Sequence, residues 1–135
     1  MSVSSAFYNM LALDSDVAAL VSTYGSAPAV FTSSWVPEDA TGTYIWTPPT
    51  ISDIAYDTKT TRGREIHRQV GCYAEDTGSD LAIETLAEAV RTVFHRQTVN
   101  VGQVNYHCTA SGPTQAPTGE GIVGRIVTIR LIYQE

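Results

Sequence analysis

The stretch that most limits what this chain can become is residues 80–94, DLAIETLAEAVRTVF. Ile83, Leu86, Ala87, Val90, Val93 and Phe94 recur at i, i+3, i+4 and i+7, the spacing of a single helical face. Glu84, Thr85, Glu88, Arg91 and Thr92 occupy the other face. Ser79 or Asp80 can cap the start by offering an oxygen to the unpaired N–H groups of the first turn. Strand-like runs lie on either side, at 65–74 before the helix and at 103–110 and 122–133 after it. An amphipathic helix must bury its stripe against a second layer, and these strands are the surface on offer. The expected fold class is α+β: one domain over residues 1–135, with helices packed on one face of a mostly antiparallel sheet. Leu86, Val90 and Phe94 are expected to be buried against Val127, Ile129 and Leu131 of the last strand.

Charge narrows the functional classes. The chain has 135 residues, 43% of them hydrophobic and only 16% charged, so it holds enough apolar mass for a core and is not a disordered tail. A net charge of −6 argues against a general nucleic-acid binder, which needs a basic face to displace counterions. No run approaches the ~20 apolar residues of a membrane helix, and the start lacks the basic, then apolar, pattern of a secretion signal. The expectation is a soluble protein made in a reducing cytoplasm, with Cys72 and Cys108 as free thiols. The charges are also unevenly placed. Residues 1–58 carry Asp14, Asp16, Glu38, Asp39, Asp53 and Asp57 but no Lys or Arg, whereas Lys59, Arg62, Arg64 and Arg68 follow within ten positions. This is either an ordinary solvated loop or one of two complementary patches that meet between subunits.

Along the chain, residues 2–13 read as a short helix with Val3, Ala6, Phe7, Met10 and Leu11 as its apolar stripe. Asp14 to Asp16 can cap a second helix, in which Val17, Leu20, Val21 and Tyr24 repeat the spacing and Gly25 supplies the C-terminal cap. Residues 29–33 and 43–47 are strand candidates, and Pro48-Pro49 ends the second because neither residue can donate to a ladder. Residues 50–64 show no clear period and suggest an exposed loop or a long hairpin arm. On the strand from Glu65, Arg68 shares a side with Ile66, Val70, Cys72 and Ala74, and His67, Gln69 and Tyr73 share the other. Residues 97–102 are read as a turn. Residues 111–121, with three Gly and two Pro, are read as an irregular loop. On the last strand Val123, Val127, Ile129, Leu131 and Tyr133 face one way together with Arg125.

Catalytic and metal chemistry find little support. His67, His95 and His107 form no HxxxH or HExxH, and the two cysteines have no ligand spacing. His107 and Cys108 are strand neighbours, so they point to opposite faces. Cys72 and Cys108 read as small buried residues on adjoining strands. There is no G-x-S-x-G and no Gly-rich phosphate cradle. Trp35 and Trp46 read as core or interface aromatics, with the core favoured. No catalytic residue, metal or cofactor is expected.

Three segments, in order, carry a resemblance. The opening helix is followed by LDSDVAALVSTYG, an acidic break before an Ala/Leu/Val helix. Then comes HRQVGCYAEDTGSDLAIETLAEAVRTVFH, a strand ending in Cys-Tyr-Ala and a helix with Leu-Ala-Glu-Ala-Val-Arg. The close, GRIVTIRLIYQE, is an Arg-led strand ending at an aromatic. Together these resemble the tail completion, or tail terminator, family of long-tailed phages, over most of the chain. The sequence departs from the family pattern at 48–64 and in the GEGIVGR turn.

The resemblance implies a non-enzymatic virion protein that forms a hexameric ring at the head-proximal end of the tail. Such a ring would stop growth of the tail tube, meet the tube protein on one face and dock the head connector or neck protein on the other. Genomic DNA would pass through its lumen without specific binding. No membrane partner is implied. The alternatives are a neck ring subunit of the head–tail connector or, from another class, a small ligand-binding domain or an enzyme with a dispersed site. A ring uses heterologous contacts, in which two different patches meet head to tail. The expected contact is Arg62 or Arg64 with Glu38, Asp39, Asp53 or Asp57 of the adjacent subunit. Arg68 belongs to the same basic cluster, with service inside its own subunit as the alternative, which makes Arg62 and Arg64 the better candidates.

Overall fold

The computed structural model describes residues 3–32, 36–37, 42–48, 52–55, 63–75, 78–116 and 121–134. Two short helices open the chain, α1 (Val3–Ala12) and α2 (Ser15–Leu20). Asp14 Oδ1 accepts the backbone N–H groups of Asp16 and Val17, both at 3.0 Å, and so starts α2. The second helix does not run on to Tyr24. Val21 is already extended, and Ser22 is drawn into backbone bonds with Thr43 (2.8 Å) and Ala29 (2.8 Å). These tertiary bonds replace the next helical turn. Gly25 has the positive φ expected of it, 58°, but it shares this with Ser26 at 69°, and the pair makes the tight turn between strands β1 (Thr23–Tyr24) and β2 (Ala27–Pro28).

The main sheet comprises β3 (Val30–Phe31), β4 (Tyr44–Trp46), β5 (Ser52–Ala55), β6 (Gly63–Glu75), β7 (Gln97–Val101), β8 (Val104–Gln115) and β9 (Ile122–Gln134). Its order is β3-β4-β6-β9-β8-β7, with β5 also on β6. Every pairing is antiparallel except β3 with β4. The molecule is α+β as expected, although the sheet is mixed at one edge. β4 and β5 lie end to end along one side of β6, opposite residues 71–73 and 64–67 respectively. The ladder opens between them, where Pro48-Pro49 falls in the sequence. Of the region 50–64, residues 52–55 form β5 and pair with the start of β6, while 50–51 and 56–62 lie outside the described residues.

Two segments read as irregular are strands. Residues 97–101 form β7, because β8 supplies a partner for all five residues. Residues 111–115 continue β8. A register shift between Ser111 and Thr114 absorbs Gly112 and Pro113, so the strand bulges instead of ending.

Helix α3 (Leu81–Phe94) packs on β6, β7, β8 and β9. Ile83, Leu86, Ala87, Val90 and Phe94 are buried, as are Val127, Ile129 and Leu131 beneath them. The register lines up the rows Ile66–Leu131–Cys108 and Arg68–Ile129–Ala110 across three central strands. Helix α1 closes one side, with Phe7 and Phe94 ring centroids 4.7 Å apart. Of the two cap candidates, Ser79 Oγ receives the Leu81 N–H at 3.3 Å. Asp80 instead accepts from Arg125 Nη2 at 2.9 Å, tying the helix start to β9. At the far end the Ala110 N–H donates to His95 Nδ1 at 3.2 Å, which ties the helix exit to β8.

Candidate assembly surface

Among the described residues the sheet has one face under the helices and one without them, and side-chain alternation sorts the polar residues between the two. Arg68 falls on the helix side, as its spacing predicts, and is only 2% exposed. Its Nη2 donates to the Thr47 carbonyl (3.3 Å) and to Thr47 Oγ1 (3.2 Å). Its guanidinium carbon lies 5.3 Å from the centre of the Phe7 ring. Thr47 sits where the ladder opens before the prolines, so Arg68 satisfies a buried carbonyl that the sheet leaves unpaired. Burial lowers the Arg68 pKa. This arginine serves its own subunit.

The other face carries a charged cluster. Glu65 Oε1 accepts Arg130 Nε at 2.9 Å and contacts His67 Nε2 at 2.6 Å. A carboxylate only accepts, so Nε2 bears the proton in that contact. The bonds from Arg130 and then His67 hold the Glu65 carboxyl at about 2, well below its ordinary 4.5. Beyond it the register gives Gln69–Thr128–Ser111 and then Gly71–Ile126–Thr114 on the same face. At the β4 end the face becomes aromatic. Tyr44 and Tyr73 stack at 5.4 Å, Trp46 lies 6.5 Å from Tyr73, and Phe31 and Tyr24 extend the chain of rings. A Cβ at Gly71 would come within 2.6 Å of the Tyr73 ring, so the glycine makes room for it. Trp46 therefore lies on the helix-free face and not in the core.

The chemistry of these groups suits binding better than turnover. A carboxylate held at about 2 is a weak general base. Burial pushes Cys72 and Cys108 to about 12, so both thiols stay neutral at neutral pH. The cysteines do not lie on adjoining strands: β9 separates them. Their partners on β9 are Arg125 and Leu131, six residues apart and hence roughly 20 Å along the strand. A bond between them would need a Cα separation under roughly 7 Å. Among the described residues no group of three His, Cys, Asp or Glu side chains gathers to hold a metal, and no helix is long and apolar enough to cross a membrane.

Of the expected contact residues, Arg64 is exposed on β6, opposite Ala55 of β5 and Tyr133 of β9. Asp53 is opposite Ile66. The Asp53 and Arg64 positions are thus two rungs apart on the β5–β6 ladder. Arg62, Glu38, Asp39 and Asp57 lie outside the described residues, as does Trp35. The Glu65–His67–Arg130 cluster escaped sequence reading. Alternation places Glu65 and His67 on one side, but nothing short of the β6–β9 register brings Arg130 to them.

No protein-family model matches the chain, and no curated protein matches it. A solved structure does. One chain of the virion of a native gene transfer agent particle superposes with a TM-score of 0.79 over 99% of this chain and 96% of its own length, at 19% identity. At that identity the likeness is one of fold. A second solved structure reaches a TM-score of 0.49 at 17% identity and carries no weight.

Proposed function

We propose that this chain is a virion structural protein, the tail terminator of a phage-like particle. Six copies form a ring on the head-proximal end of the tail tube, stop its growth and present the surface on which the head connector docks. The observation that carries this reading is the likeness, end to end, to a chain of a gene transfer agent virion. The ordered sequence resemblance to tail terminators points the same way. In this reading the protein is not an enzyme, and its work is geometric. Its net charge of −6 keeps genomic DNA from adhering as it passes the lumen. Arg62 or Arg64 contacts Glu38, Asp39, Asp53 or Asp57 of the adjacent subunit. Because Asp53 lies two rungs from Arg64 on its own subunit, Glu38, Asp39 and Asp57 are the better partners.

Native mass spectrometry of the purified protein, with and without tail tubes, tests the reading. A hexamer in either sample, with electron microscopy placing it at the tube end, is the expected result. A ring located at the portal would reassign the protein to the neck. A monomer in both samples would remove the ring.

A further inference from the structure

Among the described strands the main sheet ends at β7 on one side and at β3 on the other, and β5, end to end with β4, pairs with β6 off that path. Exposed edges are usually blunted by charge, proline or a bulge. β7, Gln97-Thr98-Val99-Asn100-Val101, has no charge and no proline, and it keeps an unbroken register with β8 over all five residues. The two-residue turn Gly102-Gln103 makes Val101–Val104 a pair that exchanges both hydrogen bonds, so pairing alternates back along the strand. The backbone groups of Thr98 and Asn100 therefore point outward, away from β8. A groove of mixed polarity lies beside this edge, where Leu13, 81% exposed, sits with Met10 and Val93 among Asn9, Thr92 and Gln97.

The second edge is its complement. β5 is antiparallel to β6, and β7 is three antiparallel steps from β6, so β5 and β7 run in the same direction. A rotation about an axis along the strands would bring β5 of one copy beside β7 of another as a parallel pair. Because the two edges differ, the contact is heterologous and repeats around a ring. Exposed Arg96 immediately precedes β7, and Ile54 of β5 is exposed. Asp14, also beside Gln97, is occupied in capping α2.

We propose that β7 of each subunit receives β5 of the next, so that the sheets join edge to edge around the ring. This rests on the ring reading above and names the contact that closes it. Thr98→Pro removes an outward N–H that β8 does not use, so the subunit keeps its fold and loses its neighbour. The expected result is an unchanged thermal transition for the monomer and loss of the hexamer by native mass spectrometry. Thr98→Lys, which retains the N–H but places a charge on the edge, serves if the proline variant does not fold, and it too should lose the hexamer. Cross-linking fixes the partner. The native thiols are buried, so cysteines introduced by Thr98→Cys and Ile54→Cys are the reactive ones. On oxidation the double variant should give a covalent ladder up to the hexamer, and each single variant should give none. A dimer from Thr98→Cys alone would mean that β7 pairs with itself and would overturn the proposal. A parent hexamer that survives both Thr98→Pro and Thr98→Lys would overturn it while leaving the ring intact. A monomeric parent would instead remove the ring reading itself.

Discussion

At the residue scale the charged groups divide into those that serve the fold and those that titrate with it. Glu65 belongs to the second kind. Its folded pKa of about 2 lies below the ordinary 4.5, so the folded state binds the proton more weakly than the unfolded chain does. The stabilisation is full above the unfolded value and is lost as pH falls toward the folded one. Glu65→Gln should therefore flatten the decline of melting temperature between about pH 5 and pH 2, with little pH-dependent change above that window. Melts at stepped pH check this, and parallel slopes for parent and variant would refute it. The thiols give a second test. Cys72 and Cys108 are buried and pushed to about 12, so neither should react with a thiol reagent at pH 8 in the native protein. Both should react after unfolding. Recovery of fewer than two thiols in denaturant would contradict free cysteines.

At the scale of elements, α3 and β9 hold the molecule together because each is the other's cover. Leu86 is fully buried over the sheet, and Leu86→Ala should cost about 2–5 kcal/mol in denaturant unfolding. A cost under about 0.5 kcal/mol, the size of a surface substitution, would mean that the helix is not seated as described. The β8 bulge has its own weak point. Gly112 has φ of 100°, and a Cβ there would meet the Ile126 carbonyl oxygen at 2.9 Å. Strain in the backbone and the contact with the neighbouring strand add, so Gly112→Ala should destabilise by roughly 1–3 kcal/mol. Hydrogen exchange should show the loss first in 111–116 and the facing part of β9. An unchanged exchange pattern would mean that the bulge carries no strain.

For the whole molecule the question is how copies recognise one another. Exposed ion pairs contribute only about 0–1 kcal/mol each, so charges set the register of a ring and do not drive its formation. Six repeats would still make association sensitive to salt. The double variant Arg62→Glu with Arg64→Glu should weaken ring formation at low salt and alter tail length. If it assembles as the parent does across salt concentrations, these arginines are ordinary solvated surface.

Much of this architecture is written in short-range pattern. The stripe of α3, the alternation of β9, the capping Asp14 and the side of β6 on which Arg68 falls all follow from spacing, because period 3.6 or 2 together with a burial requirement leaves few arrangements. What spacing cannot supply is a partner. Residues 97–101 and 111–115 look irregular alone and become strands because β8 and β9 offer hydrogen bonds along their length. α2 stops early because Ser22 bonds to Thr43, twenty-one positions away. Trp46 is apolar enough for a core, yet pairing with β6 turns it to the helix-free face. The Glu65–His67–Arg130 cluster exists only through the register of β6 on β9, and the edge position of β7 among the described strands only through strand order. Local sequence therefore determined the main helices and the central strands and which side of each is apolar. The tertiary structure decided which elements meet and which described strands lie at an edge, since these depend on contacts between residues far apart in the chain.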